Sequence, residues 1–171
     1  MEGVMRRLFF MFTFLIIFTG VSYGQNVAYL DIQKVMNMSK EGLKYKEEIK
    51  EKIRYYEEKV KELENKIAEI EKQLESPVLS EEGRKKKSEE KRKLERELSR
   101  IEQEANEELS KMKAEAEQKL VKKIIEVVKD YSEKNNIDLV FIGGMYSGVL
   151  YASPKIDITD EIIKRMGEGE K

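Results

Sequence analysis

The chain has 171 residues, 39% of them charged, yet 33 Lys and Arg against 34 Asp and Glu leave a net charge of only −1. It contains no Cys and no His. That composition excludes a disulfide framework, thiol chemistry and a Cys-type zinc site, and it removes the commonest general base and metal ligand. The length suits one domain, or a small domain with an appendage, and the interleaved charges read as solvated helix surface laced with i, i+4 pairs.

The first stretch reads as an address label. Arg6 and Arg7 precede an almost unbroken apolar run from Leu8 to Phe18. Small residues Ser22 and Gly24 then stand three and one before a cut after Gly24. The run is too short for the roughly 20 residues that span a bilayer, so a cleaved export signal over residues 1–24 is favoured over a retained anchor. The mature chain is expected to begin at Gln25 and to work in the periplasm, where no ATP drives a cycle. Val27, Ala28, Tyr29 and Leu30 form a brief β-prone run, and Asp31 is placed to cap a short helix through Asn37. Ser39 is a second cap, for the long element that follows.

That element dominates the chain. In residues 41–131 the apolar positions Ile49, Ile53, Tyr56, Val60, Leu63, Ile67, Ile70 and Leu74 alternate steps of four and three, with Lys and Glu filling most of the gaps. Such a stripe is a coiled-coil seam rather than the broader face of a globular helix. It stops at the 75–83 segment, where Pro77 cannot continue a helix and Ser80, with Glu81 and Glu82 behind it, starts another. The second stripe runs Leu94, Leu98, Ile101, Ala105, Leu109, Met112, Ala116, Leu120, Ile124, Val127, Tyr131. Three consecutive steps of four, from Met112 to Ile124, relax the supercoil. Two stripes joined by a short breaker predict an antiparallel helical hairpin, a projecting arm on the order of 50–75 Å long.

Beyond Tyr131 the period changes. Asn135 and Asn136 close the helix, Asn tolerating a left-handed C-terminal position. Ile137 to Ile142 reads as a strand whose latter half is apolar on both faces and therefore buried on both. Gly143 to Gly148 is a turn, and Val149, Leu150, Tyr151 and Ala152 read as a second strand. A last helix is expected from Asp157 onward, capped by Thr159, with Ile162, Ile163 and Met166 inward and a frayed tail over 167–171. The body, 25–40 with 132–166, thus has about three short strands and one small helix, too little core to stabilise itself and an apolar edge that wants covering. Both needs are met if several copies join their strands into one closed body from which the arms project. The fold class is α+β, an antiparallel coiled-coil hairpin rooted in a small sheet that completes a barrel by oligomerisation.

The order of these parts is similar to one known family. Val27 to Asp31 leading into a short helix, a long helical hairpin, then Ile137, Asp138, Leu139, Val140 and Val149 to Ala152 with Asp157, Ile158 and Thr159 resembles the Skp/OmpH family of periplasmic chaperones. The resemblance covers the chain from Gln25 to about Met166. It implies a homotrimer shaped like a jellyfish, with a β-barrel body and three tentacles around a cavity. There, unfolded outer-membrane β-barrel proteins are held without ATP until they reach the assembly machinery. It implies no catalytic residue and no cofactor, in keeping with the lack of His and Cys.

Client contacts are expected from apolar or aromatic residues off the stripes: Tyr45, Tyr55, Val78, Leu79, Val121 and Ile125. For Tyr55 a supporting role in the seam is an equal reading, and Val78 and Leu79 also suit closing the turn. Val27, Tyr29, Leu139, Phe141, Val149 and Tyr151 read as body core and oligomer interface. The family's best-known members are strongly basic and this chain is not. Its positive charge gathers at Arg84, Lys85, Lys86, Lys87, Lys91, Arg92 and Lys93, a candidate contact with an anionic membrane surface or a solvated helix start that keeps neighbouring tips apart. Those cations lack interleaved aromatics, so nucleic acid is not an expected partner. Carboxylate pairs such as Glu81 and Glu82 lie on solvated helix, so catalysis is not expected. The rival architecture is a membrane-tethered structural stalk or scaffold; the Pro77 break and the flanking strands oppose it, because a stalk wants one continuous rod.

Overall fold

A computed structural model describes residues 25–144 and 147–168. The expected export signal, 1–24, lies outside them, as do the last three residues. The elements in order are β1 (Val27–Asp31), α1 (Ile32–Met38), α2 (Lys40–Leu74), α3 (Glu81–Asn135), β2 (Leu139–Gly143) and α4 (Thr159–Glu168).

Helix boundaries follow side-chain chemistry. The Asp31 carboxylate accepts from the Lys34 N–H at 2.9 Å, ending β1 and starting α1 in one residue. Ser39 closes α1 through its own N–H to Val35 O and opens α2 by accepting from the Gly42 N–H at 3.2 Å. Ser80 does the same for α3 through Gly83. Asn136 ends α3 in the left-handed conformation, φ 52° and ψ 43°, a position Asn tolerates because its short amide bonds locally. Thr159 departs from expectation. Its hydroxyl accepts from the Asp31 N–H at 2.9 Å, while Asp157 takes the Thr159 N–H. The residue expected to cap its own helix therefore ties α4 to the end of β1.

β1 and β2 pair in parallel, with Val27 opposite Leu139 and Asp31 opposite Gly143. Parallel strands need a crossover, and here that crossover is the entire arm. The other edge of β1 is also occupied: Tyr29 N–H donates to Ile156 O at 2.8 Å and Ile158 N–H to Tyr29 O at 3.0 Å. The strand expected at 149–152 is not formed. The chain instead gives the far edge of β1 to Ile156 and Ile158. Leu150 is fully exposed and Tyr151 is 80% exposed. The expectation that β2 is buried on both faces also fails for a single chain, since Leu139, Phe141 and Ile142 are exposed.

The root core comprises Ala28, Leu30, Val35, Leu120, Ile124, Ile158, Ile162 and Met166. α3 therefore runs unbroken from the tip into the body and sets the arm on it. Further out, Tyr56, Leu63 and Ile70, one per heptad, are buried on α2, and Tyr56 and Leu63 cluster with Ile101, Leu94, Leu98 and Ala105 of α3. At 1.5 Å per residue, the 35 residues of α2 and 55 of α3 extend about 50 and 80 Å.

Candidate functional site

Three regions of the arm and body hold the residues expected to meet a partner. The first is the middle of the arm. Tyr56, on the α2 seam, is buried, and its hydroxyl donates to Glu108 on α3 at 2.5 Å. Glu108 also pairs with Lys52 at 2.8 Å. The hydrogen bond to Glu108 pushes the Tyr56 phenol up to about 12, because removing its proton would set two anions side by side. In turn Lys52 and then Tyr56 hold the Glu108 carboxyl below its ordinary value. Beside this cluster, Tyr55 faces solvent with its ring edge-on to Tyr56, centroids 5.3 Å apart. Lys59 lies 4.4 Å and Lys52 5.2 Å from the Tyr55 ring. Tyr55 thus packs edge-on against the seam while staying accessible between two cations.

The second feature is the tip. Arg84 reaches back from the first turn of α3 to donate to the carbonyls of Leu74 and Ser76, closing the end of α2. Lys91 crosses to Glu71 at 2.6 Å, which raises the Lys91 pKa through that hydrogen bond. Lys86 and Lys87 pair along their own helix with Glu82 and Glu90. Lys85, Arg92 and Lys93 remain exposed and without an ion pair among the described residues. The seven cations are thus not one patch: four serve the turn or the helix surface. Leu79 is half-buried under Gly83, as a turn-closing residue should be, whereas Val78 is 91% exposed and closes nothing.

The third feature is the root. Tyr45 is half-buried and packs against the body core. It lies off the coiled-coil stripe, but at the root α2 meets α1 and α4 as well as α3. Val121 is half-buried, and Ile125 is exposed on α3. Of the residues read as body core and interface, Val27, Tyr29 and Val149 are half-buried, and Leu139, Phe141 and Tyr151 are exposed. The root is braced by charge. Lys123 of α3 pairs with the buried Glu41 of α2, and Lys34 pairs with Asp160 at 2.7 Å. Arg165 of α4 stacks 4.8 Å from the Tyr131 ring. Sequence reasoning missed Glu41, Lys52, Glu108 and Lys123, since in so charged a chain nothing local separates a cross-arm pair from a solvated one.

Among the described residues no helix is long and apolar enough to cross a membrane. A protein of Aquifex aeolicus (strain VF5), named only as uncharacterized, is 34% identical over 166 residues, covering 97% of this chain and 99% of its own. A crystal structure of what is called an OmpH-like outer membrane chaperone, from Caulobacter crescentus CB15, superposes with a TM-score of 0.75 at 12% identity over 85% of each chain, a likeness of fold. The family model described as outer membrane protein (OmpH-like) matches residues 26–166, from the residue before β1 to the end of the α4 core, and the chain belongs to that family.

Proposed function

We propose that the chain is an ATP-independent periplasmic holdase that keeps unfolded outer-membrane β-barrel proteins from aggregating in a cavity between the arms of a homotrimer. The observation that carries this reading is the body's unfinished surface. β2 offers an outer edge with no strand on it among the described residues, its Leu139, Phe141 and Ile142 exposed, and Leu150 and Tyr151 further along the chain are bare as well. Apolar edges of this kind are covered in stable proteins, and copies of the same chain can cover them by completing a barrel. The arms then stand around a common space. Their walls are charged, with scattered apolar contacts at Tyr55, Val78, Val121 and Ile125, a surface that holds by many weak contacts and can let go. The number three and the client class come from the family.

The test mixes the chain from Gln25 onward with a urea-unfolded outer-membrane β-barrel protein, dilutes the urea, and follows light scattering together with native mass. Suppressed aggregation without nucleotide, at about three chains per client, is the expected result. A well-folded oligomer that leaves aggregation unchanged would count for the spacer or scaffold reading. Phe141→Asp with Tyr151→Asp is expected to abolish the trimer. The tip is proposed as a weak contact with anionic lipid through Lys85, Arg92 and Lys93. Vesicle pelleting that is unchanged when these three are neutralised removes that part alone.

A further inference from the structure

The two arm helices carry repeating apolar stripes, mostly Leu, Ile and Val, and such stripes can also meet when displaced by a heptad. Turn length does not decide between the alternatives. The cross-arm pair nearest the turn, Lys91 with Glu71, leaves three residues of α2 (72–74) but ten of α3 (81–90) on the turn side. Sliding α3 by one heptad would bring Arg84 opposite Glu71, another attractive pair, and leave three residues on each side.

Three rungs cross the arm: Lys91–Glu71 near the tip, Lys52–Glu108 in the middle, joined by Tyr56, and Lys123–Glu41 at the root. Their polarity alternates, the cation lying on α3, then α2, then α3. In the slip just described, Ala116 replaces Lys123 opposite Glu41, and Ile101 replaces Glu108 opposite Lys52 and Tyr56. In the opposite slip Glu115 replaces Glu108 and satisfies the middle rung, but Asp130 replaces Lys123. Only the root rung rejects both. Glu41 is 8% exposed, and its Oε2 already lacks a hydrogen-bond partner among the described residues. Facing it with Ala leaves a buried charge uncompensated, and facing it with Asp adds a second anion.

We infer that the pair of buried Glu41 with half-buried Lys123 selects the register of the arm, with the Lys52–Tyr56–Glu108 cluster reinforcing it against one of the two slips. The pair is a specificity device, in the way a single polar seam residue fixes a coiled coil. It decides which α3 residues stand beside Tyr55, and how far the tip overhangs α2.

The absence of Cys makes the test direct. Ala68 and Ala114, both exposed, are replaced by Cys and spin-labelled in the chain from Gln25 on. The labelled chain is diluted into unlabelled chain, and the distance distribution is read by pulsed electron paramagnetic resonance. The parent is expected to show one distance. Glu41→Leu with Lys123→Leu keeps the site packed and removes both charges, while the middle rung still rejects the slip that brings Ile101 to it. The variant is therefore expected to add a second population about 10 Å shorter, seven residues of helix rise, at a tenth or more of the total. A single unchanged distance in that variant overturns the inference and leaves register to the Arg84 clamp and to the seating of Leu120 and Ile124 in the root core. If the double variant loses helicity, Glu41→Gln takes its place: it keeps the shape, removes the charge, and is read by the same two outcomes.

Discussion

Replacing Gly42 by Ala sets two physical effects against each other. By helix propensity alone the change stabilises the first turn of α2 by about 1 kcal/mol. The packing reverses that sign. A Cβ at Gly42 would lie 1.9 Å from the Met36 carbonyl oxygen, 2.9 Å from its carbon and 3.1 Å from Ser39 Oγ. An ordinary carbon–oxygen approach is about 3.3 Å, so α1 and α2 must part by roughly 1.4 Å. Neither side yields cheaply. The clash is with main chain, Val35 and Ser39 are fully buried, and Ser39 N–H is bonded to Val35 O at 2.9 Å. Loss of the Ser39 cap costs about 1 kcal/mol and overpacking about 1–3 kcal/mol. After the propensity gain, a net loss of about 1–3 kcal/mol is expected. The assay is urea unfolding followed by far-ultraviolet circular dichroism, at fixed chain concentration because assembly contributes to stability. A Gly42→Ala variant whose midpoint equals or exceeds the parent's would refute the reasoning, showing that the α1–α2 junction relaxes freely.

Gly143→Ala is expected to destabilise the chain in the same assay, because a Cβ there would sit 2.0 Å from the Tyr29 hydroxyl; Tyr29→Leu should restore much of the loss, and no rescue would place the strain in the backbone instead. Ile162→Ala, at a fully buried root position, should cost about 2–5 kcal/mol, whereas Val78→Ser at the exposed tip should leave stability within about 0.5 kcal/mol. The Tyr56 phenol, at about 12 in the fold against about 10 in an unfolded chain, contributes stability that is fully present below pH 10. That contribution is lost as pH rises through about 12. Tyr56→Phe should remove the latest-titrating step from the tyrosinate absorbance, and a titration unaltered by the change would dissolve the Glu108 link. At the acid end, Glu62 and Glu108 titrate below their ordinary values because of Lys66 and Lys52. Their contribution is present above about pH 4.5 and fades as pH falls through the folded values, and Glu108→Gln should flatten part of that decline in a pH series of urea midpoints.

Local chemistry alone determined the arm. A 3–4 apolar step, a proline, and oxygen-bearing caps at Asp31, Ser39 and Ser80 act within one or two turns, so α1, α2 and α3 begin where those residues stand. The left-handed Asn136 was legible for the same reason. Non-local pairings were not. Seen as sequence, 137–152 is two strands and a glycine turn, which reads as a hairpin. The fold instead lays β2 parallel to β1 and gives β1's far edge to Ile156 and Ile158. Thr159 reads as a cap, and its hydroxyl was claimed by a main-chain N–H 128 residues away in sequence. Nor could any window on the sequence pick Glu41, Glu108 and Lys123 out of so many charges. Which carboxylate is buried, and which lysine lies opposite it, depends on the register of two helices brought together by a turn up to 39 residues away from Glu41. Sequence specified the elements through short-range forces; tertiary packing decided the partners, because burial and opposition exist only once distant segments meet.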